Sequence, residues 1–177
     1  KLIMAIKTII TEPNKVLRQV SQSVESVGKE EQKIMDDMLD TMYQANGIGL
    51  AAIQIGIPKR IIVMDISKKE EEKKPMYFVN PVIENKGTEN STYEEGCLSV
   101  PNYFAEVERP KKCRVKYLDY NGQKRALEAD GLLATCIQHE IDHLEGILFI
   151  DYLSKLKKTM IVKKLSKQKE RPDRIIV

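Results

Sequence analysis

A histidine pair inside an apolar segment is the feature that most constrains the fold. Both histidines of the chain, His139 and His143, lie in the sequence QHEIDH. On a helix, residues four apart are separated by about 40° around the axis and about 6 Å along it, so both side chains can bind one ion. Glu140 flanks this face, where a carboxylate can exchange a proton with a metal-bound water. A packed or solvated histidine pair is the alternative, but the full H-E-x-x-H pattern in an apolar helix favours a divalent metal site.

The third metal ligand cannot come from the same helix. A catalytic site usually has three protein ligands plus water, and Cys136 lies one turn before His139. Cys136 and His143 are about 10 Å apart along the axis, too far to share one ion with His139, so we assign Cys136 to packing beside the metal. A zinc protease would take its third ligand downstream, where the acids are poorly placed. The third ligand should therefore come from upstream. Cys97 follows a glycine at a point where a predicted strand breaks, and this context favours it as the ligand. Spacing alone does not exclude Cys113 as the alternative ligand.

The glycine-rich segment NGIGLAAIQIG raises a different possibility. Gly47, Gly49 and Ala52 match a dinucleotide-binding turn, with Asp65 at the spacing of a ribose-binding acid. Such a turn leaves a strand and enters a helix, whereas this segment follows a predicted helix and leads to a predicted strand. We therefore predict no nucleotide cofactor. The glycines suit either an extended segment that pairs with a bound peptide or a tight packing turn.

The composition excludes several classes of protein. The chain has 177 residues, enough for one domain, and no stretch approaches the roughly 18 apolar residues of a membrane span. The N-terminal sequence KLIMAIKTII is too short and too broken by lysines for a signal peptide. Three cysteines, an odd number, argue against a disulfide framework. We expect a cytoplasmic protein without a membrane partner.

Local patterns predict an α+β fold. Helical spacing and a stop at Asn46-Gly47 indicate a helix over 30–45, and Asp130 can cap a second helix over 131–145. Pro81 interrupts a strand-like run and favours an edge or a bend. The other predicted strands are 59–66, 112–120 and 123–129, the last two joined by an Asn-Gly turn. We predict a single domain over residues 1–177, in which antiparallel strands pack around a central metal-binding helix, with a C-terminal helix.

The C-terminal segment, residues 155–177, carries the basic excess. It contains nine lysines and arginines against Glu170 and Asp173, while the whole chain has a formal net charge of +3. Its predicted helix is amphipathic. The apolar side comprises Leu153, Leu156, Met160, Ile161 and Leu165. The lysines indicate either a solvated helix face or contact with an anionic surface such as RNA.

Three segments in order resemble the signature motifs of the bacterial peptide deformylases. They are GIGLAAIQ (47–54), EGCLS (95–99) and QHEIDHLEG (138–146), and the resemblance extends over nearly the whole chain. It implies removal of the formyl group from the N-terminal formyl-methionine of nascent polypeptides, with release of formate.

The resemblance also implies a set of site residues. The metal ligands would be Cys97, His139 and His143, with a metal-bound water as nucleophile and Glu140 as general base and acid. The Gln54 side chain and the backbone amide of Leu98 would stabilise the oxyanion.

The substrate-binding residues implied by the resemblance come from all three motifs. The peptide would pair with Ile48 and Gly49 and be approached by Gly96, while Leu132 and Cys136 are expected to line the pocket for methionine. The family commonly works with Fe²⁺, and Zn²⁺, Ni²⁺ or Co²⁺ occur in purified proteins. The basic segment would dock to the ribosome. A zinc endopeptidase and a non-enzymatic metal-binding module are the rival hypotheses.

Overall fold

The computed structural model describes residues 5–169, with the side chain of Lys169 excluded. The three helices are α1 (Lys29–Gln44), α2 (Gly131–Leu144) and α3 (Lys155–Lys169). The seven strands are β1 (Gly49–Ala51), β2 (Ile61–Met64), β3 (Met76–Lys86), β4 (Asn90–Cys97), β5 (Val100–Pro110), β6 (Lys112–Leu118) and β7 (Lys124–Asp130). Short 3-10 helices cover Lys15–Arg18, Ala52–Ile55 and Phe149–Tyr152.

Two antiparallel sheets form the frame. One has five strands in the order β1-β2-β3-β6-β7, and the other is the hairpin of β4 and β5. The α2 helix packs on one face of the larger sheet and α1 packs on the other. This sandwich explains why β2 is apolar at every position: Ile62 and Met64 contact the α2 layer, and Ile61 and Val63 contact the α1 layer. The predicted α+β class with a central helix is confirmed.

Of the two outcomes predicted for Pro81, a sheet edge or a bend, the structure shows the bend, and it lies in an interior strand. Pro81 lies at a shift in the β3–β6 register between Val79 and Val82, which is the bend that proline requires. Asn80 beside it has a positive φ of 50°. Its side chain accepts a hydrogen bond from the Val24 N–H and donates one to the Val24 carbonyl, both at 2.8 Å. These bonds hold the bulge against the N-terminal segment.

Two predicted details of the helices differ in the structure. Asp130 occupies the N-cap position of α2, but its side chain makes no capping hydrogen bond. In α3, Ile161 and Leu165 are buried, whereas Leu156 and Met160 are 74% and 48% exposed. The buried stripe of α3 is therefore narrower than predicted. Residues 170–177, which include Glu170 and Asp173, lie outside the described part of the chain. None of the helices within residues 5–169 is long and apolar enough to cross a membrane.

Gly146 forms the turn that follows the C-terminal end of α2, and its replacement by alanine is expected to destabilise the folded protein. Its φ is +71°, and a Cβ at this position would clash with the backbone oxygen of Arg18. Left-handed strain alone costs about 1–3 kcal/mol, and the backbone contact adds to it. We expect Gly146→Ala to lower the free energy of unfolding in urea by at least that amount. Gly28→Ala, whose Cβ would meet only a side-chain oxygen at 3.5 Å, should lower it less, and equal effects would contradict this account.

Candidate metal centre

The α2 helix and the end of β4 bring three candidate ligands together. One ligand atom from each of Cys97, His139 and His143 lies within 4.8 Å of the others. The Cys97 Sγ is 3.3 Å from the His143 Nε2. Cys113, the alternative left open by spacing, packs in the apolar core between α2 and the sheet. The structure therefore places Cys97, and not Cys113, beside the histidines.

The chemistry of this group fits a divalent metal ion. Around a tetrahedral ion with bonds of about 2.0–2.3 Å, ligand atoms lie within about 4 Å of one another. The three ligand atoms, which lie within 4.8 Å of one another, are close to that spacing. Their donor set, one thiolate and two imidazoles, suits iron(II) or zinc. His143 is fully buried, which lowers the pKa of its imidazole and favours the neutral form that binds a metal.

Glu95 orients His139 from behind the candidate ligands. Its Oε1 lies 2.8 Å from the His139 Nδ1, which leaves the Nε2 free to bind an ion. Arg109 donates to both oxygens of Glu95, from Nε at 2.7 Å and from Nη2 at 3.0 Å. Burial raises the pKa of Glu95, but the bonds from His139 and Arg109 outweigh it and hold that pKa below its ordinary value.

A second carboxylate, that of Asp142, extends the hydrogen-bond network that holds Glu95 and His139. Arg109 Nη1 donates to the Asp142 Oδ2 at 2.8 Å, and the Tyr152 hydroxyl donates to the same oxygen at 2.8 Å. The Arg109 guanidinium also lies 4.7 Å from the centre of the Tyr152 ring. Sequence reasoning missed this network. For Glu95 a signal existed: it precedes Cys97 by two residues on one strand, so both side chains project from the same face.

Glu95→Gln is expected to weaken metal binding by about 10–100-fold, the usual effect of losing a hydrogen-bond partner of a ligating histidine. The measurement is competition with a chelator for Zn²⁺ or Co²⁺, which does not depend on activity. Glu94→Gln is the matched control, since Glu94 is the neighbouring residue and its side chain is exposed. Equal metal affinity in Glu95→Gln and the wild type would contradict the role of Glu95.

Glu140 is a buried carboxylate beside the candidate ligands. It is 5% exposed, and burial raises its pKa to about 7. Its Oε2 has no hydrogen-bond partner among residues 5–169. The carboxylate packs directly on β1, because a Cβ on Gly49 would come within 2.5 Å of the Glu140 Oε1. Gly49 is thus required for this close approach.

Gln54 is held rigidly near the Cys97 sulfur. Its Oε1 accepts a hydrogen bond from the Ala51 N–H at 2.9 Å, which fixes the orientation of the amide. Its Nε2 donates to the Ser99 Oγ at 3.0 Å and lies 3.6 Å from the Cys97 Sγ. Leu98 occupies the turn between β4 and β5. Both Gln54 and Leu98 line the cavity described next.

A cavity of about 510 Å³ opens beside the candidate ligands. Except for His143, which is fully buried, all of the sequence-predicted site residues line it. These are Ile48, Gly49, Gln54, Gly96, Cys97, Leu98, Leu132, Cys136, His139 and Glu140. Ile48 and Leu132 are 43% and 42% exposed at this cavity, whereas Cys136 is buried, which raises the pKa of its thiol to about 12.

The glycine-rich segment forms one wall of the cavity. Within the described chain, β1 is the first strand of its sheet and pairs on one side only, with β2. Its other edge offers backbone groups to an extended peptide. Asp65, the candidate ribose-binding acid, instead accepts hydrogen bonds from the Tyr43 hydroxyl at 2.5 Å and from the Ser67 hydroxyl at 2.6 Å. Those bonds brace the loop after β2.

Sequence reasoning also missed cavity residues that lie outside the three motifs. Phe104 on β5 is exposed at the cavity, and its ring packs against Gly96 so closely that a Cβ there would lie 2.5 Å away. Tyr93 and Thr135 line the cavity as well. No short pattern marks these residues: Phe104 lies opposite Gly96 only through the register of the β4–β5 hairpin, which its own sequence does not specify.

Comparisons with known proteins give one consistent answer. Residues 6–159 match the family model described as polypeptide deformylase. Over 174 residues, the chain is 72% identical to a peptide deformylase of Pelagibacter ubique, which covers 98% of this chain and 100% of that protein.

Solved structures agree. The peptide deformylase of Ehrlichia chaffeensis in complex with actinonin matches with a TM-score of 0.91 and 42% identity, over 95% of this chain and 100% of that one. The Met-Ala-Ser-bound class I type b peptide deformylase of Acinetobacter baumannii matches with a TM-score of 0.80 and 32% identity, over 85% and 100%.

Proposed function

The chain belongs to the peptide deformylase family, and from that premise we propose which of its residues carry out the reaction. Members of the family are metal-dependent hydrolases that remove the formyl group from the N-formylmethionine of nascent polypeptides. One observation supports the assignment of residues. The ligand atoms of Cys97, His139 and His143 lie within 4.8 Å of one another, and the buried carboxylate of Glu140 lies beside them at the cavity. Membership removes the endopeptidase and the metal-binding module as rival hypotheses.

Cys97, His139 and His143 would hold one divalent ion. When bound, such an ion lowers the pKa of a water molecule and so supplies a nucleophile near neutral pH. We propose Fe²⁺ as the native ion, since one thiolate and two imidazoles suit it, and the same donors accept Zn²⁺, Ni²⁺ or Co²⁺. Metal analysis of protein purified without oxygen tests the choice; stoichiometric zinc in such protein would contradict it.

Glu140 would move the proton. It accepts a proton from the attacking water as oxygen bonds to the formyl carbon, and then delivers that proton to the amine nitrogen as the carbon–nitrogen bond breaks. The products are formate and a free methionine amine. Its raised pKa of about 7 suits a group that must both accept and donate a proton near neutral pH.

Gln54 and Leu98 would stabilise the oxyanion. The negative charge that develops on the formyl oxygen needs donors that are already in place. The fixed orientation of the Gln54 amide supports this role, because its Oε1 is held by the Ala51 N–H and its Nε2 projects toward Cys97. The Leu98 N–H, in the turn beside Cys97, would be the second donor.

The peptide would lie as an added strand along β1. The unpaired outer edge of β1 and the cavity beyond it support pairing with Ile48 and Gly49. Gly96 would face the peptide from the β4 side. The methionine side chain would enter the part of the cavity lined by Leu132 and Cys136.

We propose the cytoplasm as the location and the ribosome as a partner, because the substrates are nascent chains. Six lysines of α3 support contact with ribosomal RNA. They are Lys155, Lys157, Lys158, Lys163, Lys164 and Lys167, and all except the half-buried Lys158 are exposed. Cosedimentation with ribosomes tests the contact: binding that persists after deletion of residues 155–177 would contradict it.

Product analysis tests the reaction. Metal-loaded protein is incubated with formyl-Met-Ala-Ser, and the products are separated by mass spectrometry. We expect formate and intact Met-Ala-Ser in equal amounts. Cleavage of the Met-Ala bond in place of the formyl bond would contradict the function.

A further inference from the structure

Thr135 is a buried hydroxyl that the reaction described above does not use. It lies on α2 directly before Cys136, is 3% exposed, and lines the cavity. Its Oγ1 is buried and makes no hydrogen bond within the described part of the chain, not even to a carbonyl of its own helix. This group is therefore available to a bound molecule.

The position of Thr135 along α2 matches the reach of a methionine side chain. Thr135 precedes His139 by four residues, which corresponds to about 6 Å along the helix axis. In formyl-methionine, the sulfur is five bonds from the formyl carbon, roughly 5–6 Å in an extended conformer. With the formyl group at the metal site and the side chain directed toward Leu132 and Cys136, as proposed above, the sulfur would lie near the level of Thr135.

The wall of α2 at this level is otherwise apolar. Leu132 and Cys136, the neighbouring α2 residues at the cavity, offer an alkyl group and a protonated thiol. These suit the methylene groups of methionine. A thioether sulfur is a weak hydrogen-bond acceptor and a threonine hydroxyl is a donor, and the Thr135 hydroxyl has no bond within the described part of the chain that it would have to give up.

We propose that the Thr135 hydroxyl donates a hydrogen bond to the thioether of the substrate methionine and is a specificity-determining residue for it. The inference rests on the proposed function, since it requires the formyl group at the Cys97, His139 and His143 cluster. It predicts that the protein distinguishes methionine from norleucine, in which a methylene group replaces the sulfur with little change in shape.

The test compares formyl-Met-Ala-Ser with formyl-norleucyl-Ala-Ser in the metal-loaded protein. The quantity measured is the ratio of the two kcat/KM values, which is independent of the fraction of active protein. A single neutral hydrogen bond is worth about a two- to tenfold change in this ratio. We expect Thr135→Val to shift the ratio toward norleucine by that factor, and Thr135→Ser, which keeps the hydroxyl, to retain the wild-type ratio.

Thr92→Val is the matched control, because Thr92 is an exposed threonine on β4; its ratio should equal that of the wild type. An unchanged ratio in Thr135→Val, or equal shifts in Thr135→Val and Thr135→Ser, would overturn the inference and leave the deformylase function standing. Absence of formate from both peptides with the metal-loaded wild type would overturn the function and the inference together.

Discussion

Glu140→Gln is expected to lower kcat/KM for formyl-Met-Ala-Ser by about a hundred- to ten-thousand-fold, the usual contribution of general acid–base catalysis. Glutamine has nearly the same shape, but its amide cannot accept the proton of the attacking water. The variant should bind metal as the wild type does, because Glu140 is adjacent to the three-ligand cluster without belonging to it. The measurements are formate release and metal content on the same preparation.

The matched control is Glu145→Gln at the end of α2. Glu145 forms an ion pair with Arg60 and is partly exposed. The substitution therefore removes a carboxylate charge from the end of α2 at a residue that does not line the cavity. We expect wild-type activity in this variant. If Glu140→Gln with a full complement of metal released formate at the wild-type rate, Glu140 would not be the group that moves the proton.

Gln54→Ala is expected to lower kcat by about a hundred- to a thousand-fold, the usual cost of losing one oxyanion donor. Because the donor acts on charge that develops in the transition state, KM should change little. The hydrogen bond from the Ala51 N–H is also lost, so a thermal melt must show that the variant is folded at the assay temperature. Steady-state kinetics with formyl-Met-Ala-Ser give the two parameters separately.

Ser99→Ala separates orientation from catalysis at this position. Ser99 accepts a hydrogen bond from the Gln54 amide at 3.0 Å and donates one to the Ile10 carbonyl at 2.7 Å. Removal of the Ser99 hydroxyl makes the orientation of the Gln54 amide less fixed but leaves the Gln54 N–H donor in place. The loss of kcat should therefore be much smaller than in Gln54→Ala. A rise in KM with unchanged kcat in Gln54→Ala would instead mean that Gln54 binds the ground state.

The parts of the site that sequence predicts well are those encoded within one element. His139, Glu140 and His143 lie on one helical face, so their spacing alone predicts a metal site. For the third ligand, strand context favoured Cys97 over Cys113, but the choice needed the fold, because the partner elements meet only through tertiary packing. The family resemblance supplied Gln54 and Leu98, which have no pattern of their own.

The parts that sequence could not give depend on strand pairing and burial. Arg109 lies opposite Ser91 in the β4–β5 hairpin, and its long side chain reaches Glu95 four residues further along β4, a contact that no local periodicity predicts. Pro81 predicts either a sheet edge or a bend, and only the fold shows that it lies at a bend within an interior strand. Leu156 has the spacing of a buried residue but is exposed, since α3 packs on the body through a narrower stripe.

The most direct test of the account is a metal titration of formate release. Metal-free protein, prepared without oxygen, is titrated with Fe²⁺, and bound metal and formate from formyl-Met-Ala-Ser are measured together. We predict that activity rises in proportion to bound metal and saturates at one ion per chain, and that Cys97→Ala shows neither tight binding nor activity. Fully metallated protein that releases no formate, or formate release that does not depend on bound metal, would contradict the account.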